Sequence, residues 1–336
     1  MKCLFVVVFG FYFSASTTAY TVLAIRKMEG SAINGPVVKA SNGGNSAPPK
    51  PFSQDLLDFL TKGLVLSGIA SVAATRLNNE YATPIRTLFM IITTFAGYVW
   101  GARLPTGFVK VVHPIVTSTI VTHIITQLCA IATGDTFNNV LATYKSGSMA
   151  FKATGAGDIL LYLLGPSVVS FAISMYSRKN VIAENLLVVC TAMIIGSVGG
   201  LFGTALMVRL LAIGGATGAI LRKSLLPRNI TTPLAIPITK ILNGDIPLAC
   251  VFVVLTGIYG GTYGRSFMDS IGITDPVARG LGIGASAQGL GVASMTSEKE
   301  AFPFAAISMV LTAVAATVLV SIPSIKDTIV NVATGN

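Results

Sequence analysis

The sequence predicts an all-α polytopic transmembrane bundle with interrupted helices and two internal repeats. Three observations predict it. Of the 336 residues, 52% are hydrophobic and only 11% are charged, whereas soluble domains carry roughly 25% charged residues. Several apolar runs reach the ~20 residues a helix needs to cross a bilayer. Some of those runs are broken by Gly, Pro and polar residues, most visibly in residues 275–295, DPVARGLGIGASAQGLGVASM. A lipid-facing helix gains nothing from five glycines around a polar Ser286-Ala287-Gln288 centre. Irregular backbone at membrane depth survives only where protein or water covers it. Such a segment is expected to wall a site.

Residues 1–19 read as a secretory signal, with Lys2 before an apolar core at 4–13 and small residues at 16–19. Residues 20–52 are acid-poor and rich in Ser, Asn, Gly and Pro, as in a disordered transit segment. Together, with Tyr20 directly after the small residues, they resemble a bipartite plastid presequence and point to a plastid envelope membrane. The simpler alternative is a secretory signal followed by a linker. Residues 53–82 are expected to add one helix, 83–323 to form the transmembrane domain and 324–336 a tail.

The expected spans follow in order. They are 56–75, 84–102 and 111–133, then a polar loop with Asp135, Lys145 and Lys152. Residues 157–176 form a span interrupted by Gly165-Pro166-Ser167. Residues 184–213 are a long apolar run with small Gly196, Gly199, Gly200 and Gly203. Residues 218–242 are broken by Pro227, Pro233 and Pro237, and 246–263 is clean. The glycine-rich 276–295 and the apolar 302–322 close the bundle. Lys and Arg stand at nearly every boundary, so charge bias sets no orientation. Gly165-Pro166-Ser167 corresponds to Gly284-Ala285-Ser286. The hexamer Ser174 to Lys179 corresponds to Ser294 to Lys299. Matching interrupted segments in two halves point to a transporter site near the midplane.

The chemistry is narrow. Net charge is +10, from 23 basic and 13 acidic residues, but the basic residues are scattered through loops without interleaved aromatics. Nucleic acid is therefore not an expected partner; membrane lipid and a small substrate are. Four cysteines form no CxxC pair, which supports neither a disulfide framework nor zinc. His113 and His123 fall on different sides of one helix, so no metal is expected. No nucleophile–base constellation is visible, so neither an enzyme nor a cofactor is expected.

Three interrupted segments remain as candidate substrate contacts. In the first, Pro166 starts a new helix after Gly165, and Ser167 sits where free N–H groups attract anions. In the second, Arg228 lies between Pro227 and Pro233 beside Asn229, Thr231 and Thr232. A guanidinium fork matches a carboxylate, and the hydroxyls suit a neighbouring hydroxyl on the same ligand. The competing role for Arg228 is a helix cap at the headgroups, alongside Arg222 and Lys223. In the third, Arg279 precedes the glycines, and Ser286 and Gln288 lie at the break; the competing role for Arg279 is to snorkel to the surface. Acids are few. Asp275 before Pro276 is a helix-start pair, and no carboxylate stands convincingly in mid-span.

The runs SLLPRNITTPLAI, GDIPLACVFVVLTGIYGGTYG, DPVARGLGIGASAQGLGVASM and EKEAFPFAAISMVLTAV, with GDILLYLLGPSVVSFAISMY upstream, resemble the LrgB (CidB-like) membrane family over about residues 84–322. The family's PKSVTTP lysine falls on Arg228, its threonines on Thr231 and Thr232 and its final proline on Pro233. Its GPATV falls on Gly165 to Val169, and its DPVARGLALGTASHAIGT on Asp275 to Val292. Three positions depart. The family's ASHAIG histidine is Gln288 here, the glutamate after TTPIAM is Pro237, and the proline of VALAVPLY is Ser174. Two titratable groups are thereby lost, which speaks against proton coupling through them. The resemblance implies one of two functions. One is carriage of small 2-hydroxy monocarboxylates, glycolate and glycerate, as in the plastid-envelope member. The other is a regulatory or pore role with an LrgA-like partner, as described for bacterial members. The chain resembles an LrgB half standing alone, so an LrgA-like partner or a homo-oligomer is the expected assembly.

Overall fold

In a computed structural model, residues 1–31, 51–109, 112–177, 179–215 and 218–335 are described. They form helices and turns with no strand among the described residues. Among the described residues seven helical segments are long and apolar enough to cross a membrane, and the chain is an all-α polytopic membrane protein. It divides into two compact units, residues 44–167 and residues 1–43 with 168–336.

The 44–167 unit contains α2 (Gln54–Arg76), α3 (Ala82–Ala102), the short α4 (Thr106–Val109), α5 (Pro114–Thr133), α6 (Phe137–Tyr144) and α7 (Ala156–Tyr162). Local chemistry sets their ends. The Ser53 hydroxyl accepts from Leu56 N at the start of α2. Pro114 opens α5, and Gly134 closes it at φ 73°, a left-handed conformation that glycine adopts without strain. α3 and α5 approach closely because α3 offers no side chain at the crossing. A methyl on Gly101 would stand 2.7 Å from Thr117 Cβ, the small-residue packing typical of helices in lipid. Asp158 caps α7 and staples the preceding loop. Its carboxylate accepts from the N–H groups of Ser146, Gly147 and Gly155 and from the Ser146 hydroxyl, at 2.8–3.0 Å.

α8 (Leu164–Tyr176) carries the chain into the other unit. There follow α9 (Lys179–Glu184), α10 (Leu186–Ile194), a π-helical turn (Ile195–Gly199), α11 (Gly200–Leu210), α12 (Ala219–Leu225), α13 (Thr232–Ile241), α14 (Ile246–Ser270), α15 (Pro276–Ser294), α16 (Phe302–Ser321) and α17 (Pro323–Thr334). This unit also holds α1 (Lys2–Met28). The leader boundary expected after Ala19 falls inside α1. The apolar pattern runs on through Val22, Leu23 and Ile25, and the helix with it. Most of the expected transit segment, residues 32–50, lies outside the described residues.

α15 is the axis of this unit, packed against α1, α14 and α16 and buried from Val277 to Gln288. Its glycines face different neighbours. Gly280 and Gly284 meet the α16 side at Ala301 O and Ala305 O, while a methyl on Gly282 would stand 3.0 Å from Ala15 O of α1. Gly284→Ala should therefore destabilise the protein by about 1–3 kcal/mol, because the added methyl overlaps a backbone carbonyl that cannot rotate away. Gly203→Ala, with open space around it, should melt as wild type. Equal melting of both variants in detergent would show that α15 and α16 are not closely packed.

Two of the sequence breaks appear where expected: residues 218–242 divide into α12 and α13, and α15 kinks at Gln288, which has φ 46° and ψ −151°. The break expected at Gly165-Pro166-Ser167 does not fall there: these residues lie inside α8, and α7 and α8 are separated only at Leu163, whose backbone stays in the helical region. The long run 184–213 shows an irregularity of its own, the π-helical turn, a feature often found at functional sites.

Candidate functional site

The turn between α12 and α13 begins with Pro227 and ends with Thr231 as N-cap and Pro233 in the first turn of α13. Prolines at both ends stop either helix from running through. Arg228 and Asn229 are each only 2% exposed. Arg228 Nε donates to Thr204 Oγ1 of α11 at 3.2 Å. Its Nη1 has no hydrogen-bond partner, and no carboxylate pairs with it among the described residues. α1 crosses directly over the guanidinium at Gly10. Gly10 is eight residues into α1, about 12 Å along the axis of a helix long and apolar enough to cross a membrane.

Asn229 joins the irregular backbones. Its Nδ2 donates to Gly196 O of the π-helical turn and to Ala285 O of α15, both at 3.0 Å. Its Oδ1 is buried without a partner. Gly200 makes room for it, since a methyl there would stand 2.6 Å from Nδ2. On α16, Thr312 Oγ1 is also buried without a partner. It sits against the π-helical turn, 2.6 Å from where a Gly196 methyl would be, with Ala285 Cβ 2.9 Å from the same point. A free cationic donor, a free amide acceptor and a free hydroxyl thus occur together where three irregular segments meet. Buried polar groups without partners each cost about 1–3 kcal/mol, and an unpaired buried charge costs several more.

The break in α15 is held rather than loose. Gln288 Nε2 donates to Val253 O of α14 at 2.8 Å, and its Oε1 accepts from Gly289 N at 2.8 Å. The neutral amide thus caps the second half-helix and ties it to α14. Ser286 is fully buried, but its hydroxyl donates to Gly282 O within its own helix at 2.7 Å. Thr231 is buried and caps without a side-chain bond, and Thr232 beside it is half-buried.

Arg279, expected as a substrate contact, is held by carboxylates in the structure. Nε and Nη2 grip Glu298 as a fork at 2.8 Å, while Nη1 donates to Asp269 Oδ1 at 2.8 Å and to Ile273 O at 2.7 Å. With four hydrogen bonds it forms a clamp that fastens the start of α15 to the end of α14 and to the segment after α15. It does not snorkel either, being 2% exposed. Gly165 lies in the first turn of α8, exposed and with open space around it. The side chain of Ser167 lies outside the described residues.

Sequence reasoning missed Gly10, Thr204 and Thr312. Gly196 and Gly200 were visible as small residues in an apolar run, but not as the seat of Asn229. A threonine in an apolar helix ordinarily bonds its own i−4 carbonyl, as Thr256 and Thr239 do here, so nothing in the sequence separates Thr312 from them.

The sequence model of the LrgB-like family matches residues 94–324. The chain is similar to the plastidal glycolate/glycerate translocator 1, chloroplastic, of Arabidopsis thaliana, at 31% identity. That match covers 99% of this chain and 62% of the translocator, so the chain spans less than two thirds of that relative. It is also 31% identical over 159 residues to the uncharacterized protein YwbG of Bacillus subtilis (strain 168), 47% of this chain and 69% of YwbG. No solved structure matches.

Proposed function

As the chain belongs to the LrgB-like family of membrane proteins, we propose that it carries small 2-hydroxy monocarboxylates of the glycolate and glycerate class across a plastid envelope membrane by alternating access. The observation that carries this reading is Arg228, a buried cation of an apolar helical bundle with no carboxylate pairing with it among the described residues. Ionisable groups buried within such a bundle are functional by default.

The chemistry of the ligand follows from the free groups. Arg228 presents an unused N–H to a carboxylate, which restores neutrality. Asn229 Oδ1 accepts a hydrogen bond, and Thr312 can donate or accept. A hydroxyl beside the carboxylate fits that set, because it donates to one and accepts from the other. A simple alkanoate would satisfy Arg228 and leave Asn229 Oδ1 stranded. Sites built to bond a substrate hydroxyl discriminate strongly against analogues lacking it. The name of the plant relative supports this class of substrate and this compartment.

Alternating access requires a bistable element. The kink at Gln288 and the π-helical turn supply backbone that is already irregular at the site, and Asn229 bonds to both segments. The test is uptake of labelled glycolate into liposomes containing only the purified chain. Saturable uptake, competed by glycerate and weakly by acetate, is the expected result. Inactivity that ends when an LrgA-like membrane partner is added would overturn the stand-alone carrier in favour of a two-component assembly.

A further inference from the structure

We propose that α1 is a resident wall of the anion site, with Gly10 positioning the Arg228 guanidinium, and not a leader that leaves the protein. This goes beyond the carrier reading and can fail separately from it.

The first observation is the contact itself. Any methyl on Gly10 would overlap the Arg228 guanidinium, so the arginine can hold its pose only under a residue with no side chain. The second concerns hydroxyls. Ser14 and Thr18 continue from Gly10 at one and two turns on the same buried stripe, 5% and 0% exposed, and neither hydroxyl has a partner. Ser16, off that stripe, bonds Tyr12 O at 2.7 Å as an ordinary membrane serine does. Within α1 the buried hydroxyls without a partner thus both lie on the face that carries Gly10.

The third observation is how α1 is fastened. Near its start Lys2 Nζ donates to Leu211 O at 2.8 Å. In the middle the Tyr12 and Tyr259 hydroxyls meet at 2.6 Å. Near its end Arg26 Nε pairs with Asp275 Oδ2 at 3.1 Å, and Nη1 donates to Asn185 Oδ1 at 2.9 Å. Asp275 is fully buried and is the N-cap of α15, so the tether reaches the cap of the central helix. A buried pair of this kind is costly to break from one side. The opposing surface is also carved for α1. Gly260 and Gly264 of α14 receive Phe11, and Gly282 of α15 receives Ala15 and Ala19. A run of residues meant only for export needs neither a matched groove nor a buried ion pair at its far end.

Two measurements on the full chain decide the matter. After expression through a secretory route and purification from the membrane, the intact mass should correspond to the 34.9 kDa chain, at most without its first Met. A product shortened by some 19 to 31 residues would overturn the proposal. The second is a stability cycle in detergent. Gly10→Leu should lower the melting temperature, and in an Arg228→Ala background the same change should lose at least half of its effect, since contacting residues couple and distant ones add. Equal shifts in both backgrounds would overturn the contact even if Gly10→Leu alone misfolds or fails to transport. A chain that retains α1 and shows the coupling but takes up no hydroxy acid would sink the carrier reading and leave this one standing.

Discussion

Arg228→Ala is expected to abolish glycolate uptake while leaving the protein folded and at least as heat-resistant as wild type. Both halves follow from one fact. The guanidinium is buried, bonded through Nε to Thr204 and left with Nη1 unpaired. Removing it takes away an uncompensated buried charge, which is not a loss for the fold. With a carboxylate bound as proposed, it also takes away the charged hydrogen bonds to the substrate. At about 1.5–3 kcal/mol per charged bond and 1.4 kcal/mol per factor of ten, kcat/KM should fall by roughly 100-fold or more. Arg228→Lys keeps the charge but loses the planar fork and the Thr204 bond, so partial activity is expected. Uptake in liposomes and melting in detergent read the two halves separately. Normal uptake by Arg228→Ala would remove the residue from the site.

The opposite pattern is expected for Arg279. Arg279→Ala strips four hydrogen bonds from the clamp and leaves Glu298, whose side chain is 14% exposed, without its cation. Breaking one side of a buried pair costs about 3–5 kcal/mol. The lower end applies here, because Asp269 is 52% exposed and water already screens its share. The melting temperature should drop, or the protein should fail to accumulate. Replacing both partners by apolar residues, Arg279→Met with Glu298→Met, should recover much of the loss, since no charge is then left alone. A wild-type melt for Arg279→Ala, with uptake lost, would return this arginine to the substrate.

The contrast between the two arginines also marks where the sequence stops speaking. The turn that carries Arg228 was legible because prolines flank it on both sides. Arg279 looked equivalent, one turn before a glycine-rich break. Its partners are Glu298, 19 residues on, and Asp269, across the α14–α15 turn. Only the packed fold shows that these carboxylates return to it. The break at Gln288 was legible from composition, and the left-handed backbone there bears it out. That Asn229 would tie this segment to the π-helical turn was not, because both acceptors are backbone carbonyls in apolar runs. α1 shows the limit most plainly. A short apolar core followed by small residues satisfies the pattern of a leader and also that of a helix whose small residues fit a groove. The two differ only in what lies opposite, and opposite Gly10 lies Arg228.

The central claim is that a substrate carboxylate completes the charge of Arg228. Ligand-induced stabilisation tests it most directly, because a ligand bound only by the folded state raises the melting temperature with its concentration. Purified wild-type protein should be stabilised by glycolate and by glycerate, and not by the uncharged amide of glycolate. The stabilisation should vanish in Arg228→Met. Stabilisation that persists in Arg228→Met, or that the uncharged amide produces equally well, would contradict the account.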